Sequence, residues 1–128
     1  MNSRRGLQLF VVILGLVALI AGGLAMLFGA GLVPDSGAVS ANVDSEMRFF
    51  ATWYAVAGFV LLRAAPKVES QTTLIRTVAA AVFIAGCTRI LSLIVVGKPD
   101  PLFLMLMAIE LALPFVLVPW QSAVARRA

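Results

Sequence analysis

The sequence predicts an all-α integral membrane protein, a four-transmembrane-helix antiparallel bundle that forms a single domain over residues 1–128. Of the 128 residues, 62% are hydrophobic and only 12% are charged, whereas soluble globular domains average about 45–50% apolar and about 25% charged residues. Four apolar segments each reach the roughly 20 residues that cross a hydrocarbon core. A very apolar soluble bundle is the alternative, but so short a chain could not bury this much apolar surface.

The four segments span about residues 7–32, 47–65, 72–96 and 102–121. In a bilayer each must be helical, because only a helix satisfies its own backbone there. Two of the connections are short, so the helices that they join are expected to be antiparallel neighbours. The outer loop, residues 33–46, has room for structure of its own. Asp44 or Ser45 is expected to cap the second helix, and Asp100 the fourth, with Pro101 at its first position.

The first segment also resembles a signal peptide, because "MNSRRGLQLF" places two arginines before an apolar run. An apolar signal region is about 7–15 residues long and ends at a cleavage site with small residues. This run is longer, and no clear cleavage site follows it. A retained membrane helix is therefore expected.

Small residues recur every four positions on two of the predicted helices, a spacing that lets membrane helices approach closely. They are Ala21, Ala25 and Gly29 on the first helix and Thr77, Ala81 and Ala85 on the third. Four residues beyond Ala85 the second series reaches Arg89. This spacing predicts that Arg89 faces a packed neighbour rather than lipid.

The basic residues lie at the ends of the apolar segments and favour one side of the predicted membrane. That side carries Arg4, Arg5, Arg63, Lys67, Arg76, Arg126 and Arg127, and the other carries Arg48 and Lys98. By the positive-inside rule, both termini are expected in the cytoplasm of a multi-pass plasma membrane protein, in bacteria the inner membrane. No basic stripe with interleaved aromatics is present, so no nucleic-acid partner is expected.

The polar residues inside the third and fourth segments form the candidate site. Arg89 is eight residues before Gly97 and Glu110 nine after Pro101, which places them roughly 12 and 14 Å below the same boundary. An isolated charge at a helix centre costs about 2.5–3.5 kcal/mol. Arg89 and Glu110 are therefore expected to face each other or to share a small polar cavity. Pro114 removes the hydrogen bond to the Glu110 carbonyl and predicts a helix kink beside it.

Three further residues are expected to complete this site. Ser92 lies one turn outward from Arg89 on the same face. On the second helix, Glu46 and Trp53 share a face at helical spacing, with Trp53 near the depth of Arg89. The predicted pocket opens outward and is floored by Arg89 and Glu110, with aromatic walls and an acidic lip.

Three stretches of the chain carry a family resemblance that covers nearly its whole length. They are "NVDSEMRFFATWYAVAGFVLL", "AGCTRILSLIVVGKPDPLF" and "IELALPFVLVPWQ". They resemble a bacterial family of four-span membrane proteins known as domain of unknown function 4345. The resemblance implies the fold and the topology, with no established activity. The architecture is also loosely similar to DoxX-type and sterol-isomerase-type membrane folds, an analogy that bears on fold alone.

Three functions are compatible with the sequence. The first is a module that binds a lipid, a quinone or another small amphiphile, whose anionic or polar head group lies on Arg89. The second is a structural or accessory subunit of a partner membrane protein or a homo-oligomer, in which Arg89–Glu110 fixes helix register. The third is an isomerase-type enzyme that uses Glu46 or Glu110 for proton transfer. With no histidine and the single Cys87, no metal or other cofactor is expected and the catalytic repertoire is narrow.

Overall fold

The computed structural model describes residues 3–128, and helices account for most of them. The four α-helices are α1 (Ser3–Phe28), α2 (Ala41–Ala64), α3 (Thr72–Val95) and α4 (Pro101–Ala125), with short 3-10 helices at Gly29–Leu32 and Ala65–Lys67. All four are long and apolar enough to cross a membrane, and residues 3–128 contain no strand. The prediction of an all-α protein with four membrane helices is confirmed.

The chain divides into two compact units, the first ending at Pro66 and the second beginning at Lys67. In the first unit α1 packs against α2, and in the second α3 packs against α4. Contacts within each unit run in opposite order along the two helices, as in Gly15 with Leu62 and Gly22 with Ala55. In the second unit they join Arg76 to Ser122 and Arg89 to Glu110. Each unit is thus an antiparallel hairpin, called here the first and the second hairpin.

Glycines bring the two helices of the first hairpin into close contact. A Cβ atom on Gly22 would lie 2.6 Å from the backbone nitrogen of Ala55, and one on Gly58 would lie 2.4 Å from that of Leu19. No larger side chain fits at either position unless the backbones separate. The first hairpin therefore uses the close packing by small residues that is typical of membrane helices.

The small residues that form the helix contacts differ in part from those predicted. On α1 the buried residues include Gly15, Ala18, Gly22 and Ala25, whereas Ala21 is exposed. On α3 the predicted series Thr77, Ala81 and Ala85 is exposed, and the buried residues are Ile75, Ala79 and Gly86. The prediction is confirmed for Ala25 and Gly29, which are buried. It was wrong for Ala21 and for the α3 series, because steps of four residues drift around a helix of 3.6 residues per turn. A contact face alternates steps of four and three instead.

That alternation is regular along both helices of the second hairpin. The residues that share the contact face of α3 are Ile75, Ala79, Val82, Gly86, Arg89 and Leu93, and those of α4 are Phe103, Met107, Glu110, Pro114, Leu117, Gln121 and Val124. All thirteen are buried or half-buried. Steps of four and three are the signature of a left-handed helix pair with side chains interlocked along the seam. Arg89 and Glu110 occupy seam positions, where apolar residues are the rule.

The second helix begins at Ala41 rather than at Met47, so the predicted loop of residues 33–46 loses its last part to α2. Ser40 is the N-cap, and its hydroxyl accepts a hydrogen bond from the Val43 backbone nitrogen at 3.3 Å. The prediction that Asp44 or Ser45 caps α2 was wrong, because the apolar pattern starts later than the capping signal that ends the loop.

The connection between α3 and α4 agrees with the sequence. Asp100 caps α4, its Oδ1 accepting a hydrogen bond from the Leu102 backbone nitrogen at 2.8 Å, and Pro101 is the first helical residue. Gly97 adopts φ +118° just after α3, a backbone conformation that glycine adopts at no steric cost. The tight connection places Arg89 and Glu110 at matching heights on neighbouring helices.

Candidate functional site

Arg89 and Glu110 form a two-pronged ion pair across the seam of the second hairpin. The Arg89 Nε donates to Glu110 Oε2 at 2.6 Å, and Nη2 donates to Oε1 at 3.0 Å. The Arg89 side chain is 35% exposed and that of Glu110 is 17% exposed. Two parallel charge-assisted hydrogen bonds fix the orientation of both groups. The prediction that the two residues face each other is confirmed.

The guanidinium retains hydrogen-bonding capacity beyond this pair. An arginine has five N–H donors, and Glu110 accepts from two of them. No other residue of the described chain, 3–128, accepts a hydrogen bond from Arg89. The Phe103 ring lies beside the cation, with its centroid 5.8 Å from Arg89 Cζ, within the range of a cation–π interaction. Arg89 is thus fixed by two neighbours while three donors are left over.

A cavity of about 300 Å³ adjoins these donors between α3 and α4. Arg89, Ser92 and Thr88 are its polar lining residues, and the apolar ones include Phe103, Leu93 and Met107. Pro99 also lines the cavity, so the cavity lies near the connection between the two helices. We call this space the Arg89 cavity.

The two hydroxyl groups of the Arg89 cavity differ in their partners. The Thr88 hydroxyl donates to the backbone carbonyl of Ala85 at 2.7 Å. The Ser92 hydroxyl makes no hydrogen bond with any residue of the described chain. A molecule in the cavity would therefore meet free polar groups on Arg89 and Ser92, one helical turn apart.

Helix α4 remains helical through Pro114 and Pro119. Proline has no N–H, so the carbonyls of Glu110 and Phe115 lose the donors that an unbroken helix would supply. Glu110 thus combines a paired carboxylate with a backbone carbonyl that lacks its helical partner. The kink at Pro114 stays a prediction.

Glu46 and Trp53 lie on α2, in the first hairpin. Trp53 is 62% exposed and packs edge-to-face on Phe49, with ring centroids 6.3 Å apart. Glu46 is exposed and forms no ion pair with any described residue. Of the other residues of the predicted pocket, Arg89 and Ser92 line the Arg89 cavity, whereas Glu110 does not. That Glu46 and Trp53 join them in one pocket stays a prediction.

A second ion pair, which the sequence interpretation did not foresee, lies within α2 and holds the end of α1 through additional hydrogen bonds. Arg48 Nε donates to Asp44 Oδ2 at 2.7 Å, and Arg48 Nη1 donates to the carbonyls of Met26 and Leu27, each at 2.8 Å. Asp44 Oδ1 accepts from the backbone nitrogen of Ala30 at 3.0 Å. Together they cap the C-terminal end of α1, and we call them the α1 clamp.

The α1 clamp requires a glycine at position 29. Gly29 adopts φ +67°, and a Cβ there would meet the Asp44 carboxylate. The sequence contains a glycine near the end of the first apolar run and, on the next helix, an aspartate and an arginine four residues apart. These two features predict a helix end and an ion pair on α2, whereas the contact between them depends on how α1 and α2 pack.

Phe103 and Gln121 are further seam residues that sequence reasoning did not assign. Gln121 is fully buried, and its Nε2 donates to the Val68 carbonyl at 3.2 Å and to Thr72 Oγ1 at 2.9 Å. Phe103 lies two helical turns before Glu110 and Gln121 three turns after it. That common spacing along α4 is the signal that could have placed both residues on the face of Glu110.

The Glu110 carboxylate is fully engaged by its ion pair. Both Glu110 carboxylate oxygens already accept hydrogen bonds from Arg89, so a base there would first have to leave the pair. Within residues 3–128 no group of three or more His, Cys, Asp or Glu residues is placed to hold a metal ion. The site therefore presents N–H and O–H donors at a cavity lined by both polar and apolar residues.

The family model described as Domain of unknown function (DUF4345) matches residues 6–121. The chain belongs to this family. The match includes most of each of the four helices of this DUF4345 protein, with Arg89, Ser92, Glu110 and the α1 clamp. No curated protein and no solved structure matches the chain.

Proposed function

We propose that this DUF4345 protein binds a lipid-like or small amphiphilic ligand in the Arg89 cavity. The observation that carries the proposal is the set of Arg89 donors without acceptors, beside the equally unpartnered Ser92 hydroxyl, at the wall of a cavity. An arginine that served only to neutralise Glu110 would need no such space. Ligand sites typically combine a few convergent polar groups with mostly apolar walls.

The ion pair favours a neutral head group that accepts hydrogen bonds. Glu110 already cancels the charge of Arg89, so an anionic head group would add an uncompensated charge to a site of low dielectric constant. A carbonyl oxygen instead accepts from Arg89 and Ser92 without changing the net charge. Quinones and glycerol esters present such oxygens on an apolar body.

The size of the cavity indicates how much of the ligand it holds. About 300 Å³ is at the lower limit of small-molecule pockets, which range from about 300 to 1,000 Å³. The head group and the first part of an apolar tail therefore fit beside Phe103, Leu93 and Met107. The rest of the tail lies in the bilayer.

Thermal unfolding in detergent with added probes tests this proposal. Decylubiquinone and dioleoylglycerol carry neutral acceptor head groups, and oleate carries an anionic one. We expect the two neutral probes to raise the unfolding temperature of the wild type more than oleate does. In Arg89→Met/Glu110→Leu, which removes the donors without leaving an unpaired charge, the shift should disappear.

The matched control is Lys98→Gln, which removes an exposed cation outside the cavity and should keep the wild-type shift. Equal stabilisation of the wild type and of Arg89→Met/Glu110→Leu by every probe would exclude the head-group role of Arg89. A larger shift with oleate than with either neutral probe would exclude the neutral class of ligand.

The second candidate function is that of a structural or accessory subunit, in which the ion pair only fixes helix register. Its supporting observation is the two-pronged geometry, 2.6 and 3.0 Å, because such a pair allows a single alignment of α3 and α4. Under this function the double variant folds and retains its biological activity. A double variant that folds normally but loses activity favours ligand binding.

The cellular setting forms part of the proposal. The protein is a multi-pass membrane protein by its four helices, and we place it in the plasma membrane of a bacterium, with both termini in the cytoplasm. The Lys and Arg asymmetry of the connections supports this orientation. Labelling single-cysteine variants at Ser36 and at Ala128 from outside intact cells tests it, because only the first should react.

The remaining expectations are less specific. A DoxX-like arrangement of the helices would accommodate a ligand between them, and the exposed aromatic residues of α2, Phe49, Phe50 and Trp53, offer a surface to lipid, to a partner membrane protein or to a second copy. An isomerase that uses Glu46 remains a weaker candidate, supported only by the exposure of that carboxylate.

A further inference from the structure

A second recess lies on the second hairpin, at the end opposite the Arg89 cavity. It is an open groove of about 400 Å³ between α3 and α4, with Arg76 as its one charged lining residue. Its walls include Ala80 and Phe83 from α3 and Phe115 and Val118 from α4. The Phe83 and Phe115 rings meet edge-to-face with centroids 6.0 Å apart. We call this recess the Arg76 groove.

The charge of Arg76 has no acidic partner. Its Nη2 donates to the Ser122 hydroxyl at 3.2 Å, and no carboxylate within the described residues 3–128 forms an ion pair with it. Arg76 is exposed and lies about one helical turn inside the start of α3. An exposed cation therefore lies at one end of an apolar groove, near the start of α3 and beside a neutral hydroxyl.

The same end of the hairpin is positively charged overall. Because α3 and α4 are antiparallel, the start of α3 and the end of α4 lie together. Lys67, Arg76, Arg126 and Arg127 belong to this end, against the single carboxylate Glu69. Such basic clusters beside a membrane helix attract anionic lipid head groups.

We propose that the Arg76 groove binds an anionic phospholipid. The phosphate accepts hydrogen bonds from Arg76 and Ser122, and one acyl chain lies along the groove past Ala80 towards Phe83 and Phe115. The distance along α3 from Arg76 to Phe83 is about 10 Å, so the groove receives the upper part of the chain. Charge complementarity selects the head group, and the apolar walls distinguish this site from general attraction to the basic end.

Unfolding temperatures with defined lipids test the proposal. Detergent-solubilised protein is mixed with dioleoyl phosphatidylglycerol or with dioleoyl phosphatidylcholine at equal concentration. We expect the anionic lipid to raise the unfolding temperature of the wild type by about 5 °C more than the zwitterionic lipid does. Arg76→Gln should abolish this difference, because it removes the charge and keeps a polar side chain that can still donate a hydrogen bond.

Two further variants distinguish binding in the apolar groove from general attraction to the positive charge at this end of the hairpin. Ala80→Phe fills the groove at an exposed position and keeps every cation, so it should also abolish the difference. Arg126→Gln removes a cation from the same end outside the groove and should preserve it. An unchanged difference in Arg76→Gln or in Ala80→Phe overturns the proposal, as does an equal loss in Arg126→Gln. A stabilisation that depends on protein concentration and not on lipid concentration indicates that a second copy of the chain occupies the groove. That result also overturns the proposal.

Discussion

The two ion pairs of this protein use the same chemistry in opposite ways. In the α1 clamp, Arg48 donates to Asp44 and to two carbonyls at the end of α1, and Asp44 accepts from a backbone nitrogen. In the second hairpin, Arg89 donates to Glu110 alone. The first arginine completes a backbone that the helix end leaves unsatisfied. The second lies along a seam that needs no polar group at all.

This difference shows how a structural charge is distinguished from a candidate functional one. A helix end supplies unpaired carbonyls, so a capping arginine has a structural reason to be there. A seam position is best filled by an apolar residue, since a buried ion pair contributes little net stability relative to apolar side chains. An arginine on a seam, with spare donors and a cavity beside it, therefore calls for another role.

The largest effect is expected when the Arg89–Glu110 ion pair is broken. Glu110→Leu leaves Arg89 charged and without a carboxylate, so we expect a loss of about 3–5 kcal/mol in the free energy of unfolding. Titration with sodium dodecyl sulfate, followed by circular dichroism, measures this loss. Arg89→Met/Glu110→Leu should recover most of it, because an apolar pair replaces the ionic one.

The double variant is also the control for this prediction. If it is as unstable as Glu110→Leu, then the pair itself, rather than the absence of an unpaired charge, stabilises the hairpin. Both ion pairs would then serve to stabilise the fold, and the difference drawn between them would not hold.

The next effect concerns the contact between α1 and α2 in the first hairpin, which depends on the close approach of the two backbones. Gly58→Val places a side chain against the backbone of Leu19, where a Cβ alone would be 2.4 Å from nitrogen. Forcing α1 and α2 apart should lower the free energy of unfolding by about 1–3 kcal/mol. The same denaturant titration measures it.

Gly23→Val provides the matched comparison, since no atom lies within 4 Å of a Cβ at that position. It introduces the same side chain into α1 and should change stability far less. Equal losses in the two variants would attribute the effect to helix propensity instead of to packing between the helices.

Much of the fold followed from the sequence, because the bilayer imposes length and apolarity on each helix. The predicted third segment, residues 72–96, agrees with α3 to within one residue of Thr72–Val95. The start of α2 did not follow, because Ser40 sets it through a local hydrogen bond that hydropathy does not register. Boundaries that depend on capping need the capping pattern itself.

The pairing of Arg89 with Glu110 could be predicted from the sequence, because it follows from the free-energy cost of a lone charge in the membrane. A charge inside the membrane demands a partner, and the short connection places Glu110 at the height of Arg89. The lining of the Arg89 cavity and the contact with Phe103 were not predictable, because they depend on the relative rotation of α3 and α4. That rotation is set by the whole seam, including the small Gly86, whose Cβ would lie 2.9 Å from the Leu111 side chain.

A smaller effect is expected when the α1 clamp loses its charge pair. Asp44→Asn keeps an oxygen that can accept from Ala30 but removes the ion pair with Arg48, whose side chain is 41% exposed. Arg48 can still donate to the carbonyls of α1, so the fall in unfolding temperature should be less than half of that in Glu110→Leu. Asp35→Asn, in the loop, should have no measurable effect. A clamp variant as unstable as Glu110→Leu would contradict the distinction between the two pairs.

The smallest effect on stability is expected at Ser92, where ligand binding should change instead. Ser92→Ala removes a hydroxyl with no partner in the described chain, so unfolding without ligand should stay within about 0.5 kcal/mol of the wild type. The stabilisation by decylubiquinone should fall, because one of the donors to its carbonyl is missing.

Thr88→Val is the matched control for this prediction. The hydroxyl that it removes already donates to Ala85, so the probe should stabilise this variant as it does the wild type. A reduced shift in Thr88→Val, with a full one in Ser92→Ala, would move the head group away from Arg89 and leave the seam pair as a structural one.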